Sequence, residues 1–259
     1  MSKLLTLLTL ACTLALAPPA ALAADPIKVR IGVEGAYPPF SSVGPDGKLK
    51  GFDIDIAKAL CTEMKAQCTM VQQDFDGMIP ALKARKFDII VASLSITPER
   101  QKVVDFSDKY YSTPARFVGK LSARLEVSGS GLKGKKIGVQ RATIHERFAA
   151  EQYTGAEIVR YAKQDEVFLD LASGRLDGAL ADSVAIDQGF LKTPAGKGFG
   201  FVGPVYTDEK YFGVGAGIAM RKGDTATRER LNTALKAIRS NGVYKQIQDR
   251  YFDFDVYGK

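Results

Sequence analysis

Histidine and cysteine are scarce in this 259-residue chain, which has one histidine, His145, and three cysteines, Cys12, Cys61 and Cys68. One imidazole and no C-x-x-C pair cannot assemble a His/Cys metal cluster, so no metal is expected. A G-x-S-x-G nucleophile motif is also missing. Gly129-Ser130-Gly131-Leu132-Lys133-Gly134 has the letters of a dinucleotide fingerprint but precedes a strand instead of following one, and Gly134-Lys135-Lys136 lacks the rest of a P-loop. No cofactor is expected, and ATP hydrolysis would have to belong to another subunit. Beyond residue 24, nothing approaches the ~18 consecutive apolar residues of a membrane span.

What is present begins with a leader. Lys3, the apolar run Leu4 to Leu16 and the small-x-small signal Ala21-Leu22-Ala23 read as a signal peptide over residues 1–24, cleaved after Ala23 or Ala24. Cys12 stands in a poor lipobox, because Thr9-Leu10-Ala11 precedes it and the apolar run continues past it. The product is therefore expected to be exported, periplasmic and soluble. Cys61 and Cys68 are then the only cysteines, in a compartment where thiols oxidise, and should form a local disulfide. The formal charge of +7 falls by one, to +6, when Lys3 leaves with the leader. Its lysines and arginines are scattered among acids, which reads as a solvated surface and not as a nucleic-acid face.

The mature chain, roughly 235 residues, is long enough for one large or two small domains. Ile27 to Val33 alternates as a strand, and Asp53 to Lys65 carries Ile54, Ala57, Cys61 and Met64 at helical spacing. A strand near 67–74, a helix near 77–85 and a strand at 88–92 follow. The order then recurs as strand 136–140, helix 144–152, strand 157–161, helix 165–173 and strand 177–181. Leu82-x5-Asp88-x3-Ala92 is echoed by Leu171-x5-Asp177-x3-Ala181. Two βαβαβ halves imply an α/β protein of two lobes with parallel sheets, which bind ligands beyond the carboxyl ends of their strands. Ser112-Thr113-Pro114 and the glycine-rich Gly213 to Gly217 mark two crossings between lobes, a two-strand hinge. The helix containing Leu231, Ala234, Leu235 and Ile238 would return to the first lobe. The expected division is 25–112 with 214–259 for lobe 1, and 113–213 for lobe 2.

The strand-end rule selects Glu34 and Tyr37, Ser93 and Ser95, Thr143 and His145, and Asp182. Asp88 to Arg100 is the richest stretch. A buried strand runs into Ser93, Ser95 and Thr97, and Thr97-Pro98 is an N-cap followed by a first-turn proline. Arg100, a cation in a first turn where the helix dipole disfavours it, points to an anionic partner such as a carboxylate. A zwitterion carrying an extra positive charge would suit two acids, several hydroxyls, an aromatic ring and an arginine.

These stretches also resemble a known family. Arg30 to Phe40, Gly51 to Asp55, Asp74 to Pro80, Ser93 to Arg100, Gly174 to Asp177 and Tyr251 to Gly258 are similar to those of periplasmic solute-binding proteins of polar amino-acid ABC importers, the lysine/arginine/ornithine and histidine binders above all. The resemblance covers essentially the whole mature chain and implies the type II periplasmic binding fold. It implies that Arg100 clamps a ligand carboxylate, aided by backbone N–H groups near Ser95 and Thr143. Asp182, the Ser95 hydroxyl and the Ser93 carbonyl would hold the α-ammonium, Tyr37 and Phe75 would sandwich the side chain, and Glu34 would pair with its distal charge. Ala92 stands where a serine is usual, and Ile144-His145 where a Thr-Gln pair is usual.

The expected function is thus capture of a cationic L-amino acid, arginine or ornithine before lysine or histidine, and delivery to a membrane permease with its ATPase subunits. No catalysis is expected, and the protein is read as a monomer. An arginine-derived opine, or a lyase or dehydratase on the same scaffold with Glu34 or His145 as acid or base, are the alternatives. For single residues, Asp182 could instead cap the helix after its strand, Tyr37 and Phe75 could be core aromatics, and His145 could be structural.

Overall fold

The computed structural model describes residues 26–258. The leader, its cleavage site and Cys12 lie outside the described residues. The chain opens with β1 (Lys28–Val33), then a small antiparallel ribbon of β2 (Ala36–Tyr37), β3 (Ser41–Val43) and β4 (Leu49–Lys50). The first repeat continues with α1 (Phe52–Glu63), β5 (Gln67–Gln72), α2 (Met78–Lys83) and β6 (Ile89–Ile90). After the single turn α3 (Pro98–Gln101) the chain runs through β7 (Val104–Tyr111) and crosses to a second sheet as β8 (Ala115–Lys120). There β9 (Lys136–Gln140), α4 (Ile144–Gln152), β10 (Glu157–Tyr161), α5 (Gln164–Ala172) and β11 (Gly178–Asp182) repeat the first pattern. The short α6 (Ser183–Ile186), β12 (Phe199–Tyr206) and α7 (Glu209–Phe212) precede the return through β13 (Ala216–Arg221), α8 (Thr225–Ser240) and α9 (Val243–Gln248).

The repeat read from the sequence is real topology. The first sheet has the order β5-β1-β6-β13-β7 and the second β10-β9-β11-β8-β12. In each, the second strand, first strand and third strand of a repeat lie side by side and parallel. The sheets are mixed, however, and not parallel throughout. β13 pairs antiparallel with β6 and β7, and β8 pairs antiparallel with β11 and β12. The cause is the double crossing, since a chain that leaves one sheet and enters the next along the shared cleft must add its strands in reverse.

Each sheet has an apolar layer on both faces, as parallel cores require. Ile31, Val33, Phe52, Ile54 and Leu60 fill one side of the first sheet, and Met78, Leu82, Phe87 and Ile90 the other. Leu231, Ala234, Leu235 and Ile238 of α8 join the first group, so the chain's end packs on its beginning. The crossings are 112–114 and 207–215. Gly213 in the second has φ of 72°, and a Cβ there would collide with the Ile96 carbonyl oxygen, so this turn against the cleft edge requires glycine. Among the described residues no helix is long and apolar enough to cross a membrane.

The Cys61–Cys68 disulfide is formed, joining the last turn of α1 to β5. A loop this short constrains the unfolded chain by about 2.5 kcal/mol in the chain-entropy treatment. Alkylation of freshly purified protein without reductant should therefore modify neither thiol. Cys61→Ser/Cys68→Ser should lose about 2.5 kcal/mol in urea unfolding; an unchanged midpoint would show that the bridge adds nothing.

Candidate functional site

The facing ends of β1, β6, β9 and β11 open into one cleft between the sheets. Glu34, Tyr37, Phe75, Ala92, Ser93, Ser95, Arg100, Thr143 and His145 surround a cavity of about 20 Å³, together with Gln140 and Ile144. A second cavity of about 260 Å³ adjoins it toward the crossings, sharing Tyr37, Ser93, Ser95, Ile144 and His145 and adding Asp182, Tyr111 and Thr113. The sequence-selected residues are therefore brought together, with Asp182 in the neighbouring cavity.

Arg100 is the cationic wall. Thr97 caps α3 as expected, its Oγ1 accepting from the Arg100 N–H at 3.3 Å. The guanidinium donates to the Ser95 carbonyl at 3.0 Å and, across the cleft, to the Ala142 carbonyl at 3.1 Å. It also lies over the Phe75 ring, 5.6 Å from its centroid. Burial, then the nearby Arg147, pulls its pKa down to about 10, while Glu99 opposes that shift, so Arg100 stays cationic at neutral pH. Two carbonyls satisfy N–H groups without neutralising a charge, and an anion would complete the arrangement.

Glu34 is the acidic member of the same cavity lining. It is buried and accepts from Gln140 Nε2 at 2.5 Å. The same nitrogen donates to the Ala162 carbonyl at 3.2 Å. Burial pushes the Glu34 carboxyl up to about 8. The Gln140 bond works against this, whereas Asp53, Asp165 and Asp74 add to it. Gln140 is absent from the residues that the sequence selects, although it is the last residue of β9 and the strand-end rule that picks Thr143 applies to it equally.

Several candidates have their polar groups already engaged. Ser93 Oγ donates to Asp53 at 2.9 Å. Thr143 Oγ1 caps α4, accepting from Glu146 N–H at 3.1 Å and donating to the Gln140 carbonyl at 2.7 Å. Asp182 caps α6, with Oδ1 accepting from Val184 N–H at 2.8 Å and Ala185 N–H at 3.2 Å, while Oδ2 accepts from the Thr113 hydroxyl. The capping alternative for Asp182 thus holds alongside its place in the larger cavity. Burial raises its carboxyl to about 6 against the pull of those donors. His145 is buried between both cavities, and burial followed by Arg100 drives its pKa down to about 3, leaving it neutral. Tyr37 stacks on Phe40 with centroids 5.8 Å apart, so its ring is both core and cavity wall.

Polar bonds across the cleft hold this closed geometry, and many come from one segment of the second lobe. Besides Gln140–Glu34 and Ala142–Arg100, Arg141 pairs with Asp76 at 3.1 Å, and Arg147 pairs with Glu99. Arg147 also donates to the Lys210 and Tyr211 carbonyls, each at 3.1 Å, which ties α4 to the second crossing.

A cleft between two lobes whose lining includes both a buried cation and a buried acid suits a binding protein for a small solute. Residues 29–254 match the bacterial extracellular solute-binding proteins, family 3, and the chain belongs to that family. It is 59% identical over 232 residues to the L-arginine-binding protein of Pseudomonas aeruginosa, covering 89% of this chain and 90% of that protein. It is 46% identical to the lysine/arginine/ornithine-binding periplasmic protein of Escherichia coli, covering 91% and 92%. A solved Salmonella typhimurium periplasmic binding protein described as highly arginine-specific superposes with a TM-score of 0.81 at 33% identity, over 87% of this chain and 99% of that one. These relatives are described as binding proteins, and this chain is a solute-binding protein.

The capping geometry of Asp182 has a measurable weight. Asp182→Ala removes two acceptor contacts at the start of α6 and a third to Thr113 in the first crossing, and should lower unfolding free energy in urea by about 1–2 kcal/mol without ligand. An unchanged stability would mean that Asp182 is held for the ligand alone.

Proposed function

We propose that this protein captures a cationic L-amino acid in the periplasm, arginine first and then ornithine, lysine and histidine, and presents it to the membrane permease of an ABC importer. The observation that carries the reading is that Arg100 and Glu34 line one cavity with Tyr37 and Phe75, adjoining the larger cavity that Asp182 lines. A guanidinium fork suits a ligand carboxylate bidentately. Aromatic faces suit an aliphatic stem or a flat guanidinium. A buried acid in the same lining selects a side-chain cation. The arginine-binding relatives support this choice of ligand, and no observation favours an opine or a lyase.

In this reading residues 25–112 with 214–259 move as one lobe and 113–213 as the other, about the two crossings. The ligand is taken up by the first lobe, which carries Glu34, Tyr37, Phe75, Ala92, Ser93, Ser95 and Arg100. Closure then brings Thr143, His145 and Asp182. The protein acts as an exported monomer.

Arg100→Ala should abolish nearly all arginine binding in calorimetry with the fold intact, because one charge-assisted partner of a buried carboxylate is worth ~2–5 kcal/mol. Arg100→Lys should recover little of it. Wild-type affinity in the alanine variant would overturn the site.

Glu34 adds a pH dependence with a defined sign. Burial in the closed, unliganded protein raises the Glu34 carboxyl to about 8, and a guanidinium beside it lowers that value, so arginine entering this form at pH 7 releases a proton. Affinity for arginine should rise with pH up to about 8 and then level off, and heats measured in buffers of different ionisation enthalpy should report proton release. Glu34→Gln should flatten the profile and weaken arginine more than its neutral isostere citrulline. Equal losses for both ligands would refute the pairing.

A further inference from the structure

The ligand reading leaves one buried acid unused. Asp53, in the first turn of α1, is 1% exposed, and both its oxygens are engaged by hydroxyl donors. Ser93 Oγ donates to Oδ2 at 2.9 Å and Tyr110 Oη donates to Oδ1 at 2.8 Å. The Tyr110 oxygen in turn accepts the Ser93 N–H at 3.0 Å. Three hydrogen bonds therefore close a ring through α1, β7 and the loop after β6. Tyr110 is fully buried, and Phe52 stacks on it with centroids 6.2 Å apart, so the far side of the ring is fixed by core packing.

The residue held by this ring has an unusual backbone. Ser93 has φ of 53°, in the left-handed region that residues with a Cβ rarely enter. From Ser93 the chain turns into Ser95, whose carbonyl receives the Arg100 guanidinium, and both serines line both cavities. A chain that relaxed at Ser93 would redirect that whole corner.

We propose that Asp53 is a positioning residue of the ligand cleft: through Ser93 Oγ and Tyr110 it holds Ser93 in the left-handed conformation that aims residues 93–95 and, with them, Arg100. The inference rests on reading the cleft as the amino-acid site. A carboxylate is needed because two hydroxyls donate to it at once, and a primary amide offers one acceptor oxygen and an unwanted donor. A first-turn acid serving only the helix dipole would have no need of Ser93.

The test compares Asp53→Asn in two backgrounds, native Ser93 and Ser93→Gly, since glycine enters the left-handed region freely and keeps the main-chain carbonyl. Arginine affinity by calorimetry should fall tenfold or more on Asp53→Asn with Ser93 present, and less than threefold in the Ser93→Gly background. Equal losses in the two backgrounds, or none in either, would overturn the proposal. A crystal structure of Asp53→Asn gives a reading that needs no ligand: residue 93 should leave positive φ, and retention of the native φ counts against Asp53. If wild-type protein binds no amino acid, the transport reading fails while this backbone measurement still decides the role of Asp53. Should Asp53→Asn not fold, Tyr110→Phe, which deletes the hydroxyl joining Asp53 to the Ser93 amide, carries the same comparison with the same expected outcomes.

Discussion

A guanidinium taken from water without a counter-ion is costly, and the cleft is organised around that cost. Arg100 meets only neutral carbonyl oxygens, from Ser95 on its own lobe and Ala142 on the other. Glu99 is close enough to raise its pKa but spends its carboxylate on Arg147. The charge is thus solvated well enough to fold and poorly enough to favour an incoming carboxylate. Glu34 is in the mirror situation, a buried acid with an amide for a partner, surrounded by further acids that lift its pKa. In the proposed reading a ligand carrying both an anion and a cation satisfies Arg100 and Glu34 together, as neither charge alone would.

The fold positions these side chains at and just beyond strand ends. β6 is only two residues long, so the chain leaves the sheet early and runs through Ser93 to Ser95 along the cleft floor before α3 begins. Glu34 stands one residue beyond β1, the neighbour of β6. Glu34 therefore projects from the end of one strand, and Arg100 from the helix α3 that follows the loop after its neighbouring strand β6. The second sheet answers with its own ends, where Gln140 closes β9 and Asp182 closes β11. Because the two sheets share one topology, the facing rims are built from equivalent positions.

Much of this is legible in the sequence where local chemistry decides the structure. Helix α4 and strand β10 begin and end at the expected residues, since Thr143 caps the helix through its own hydroxyl and β10 spans the expected run 157–161. The strands β7, β8, β12 and β13 escape a reading of the sequence, for a physical reason. β7 and β13 are buried along most of both faces, as in the pattern of Val104–Tyr111, and give no alternation to detect, while their partners come from distant chain. In the site, residue types are readable but their partners are not. Asp182 is a cap and a cavity wall at once, and the engagement of Ser93 by Asp53, 40 residues away, is set by tertiary packing alone.

The distribution of charge between lobes implies an order of events. In the proposed reading the ligand is recognised by Arg100 and Glu34 of the first lobe, with Tyr37 and Phe75 lining the same cavity, whereas Gln140, Thr143 and Asp182 belong to the second lobe and have partners of their own. A solute meeting the open cleft can satisfy Arg100 and Glu34 before closure. The second lobe then contributes bonds that form only on approach: Arg141 to Asp76, Arg147 to Glu99, and the Ala142 carbonyl to Arg100. The first two are ion pairs at least partly open to solvent and individually weak. Closure held by such contacts is reversible, so in the proposed reading the charges buried on the first lobe set which solute is retained, and the rim pairs set how readily it is released.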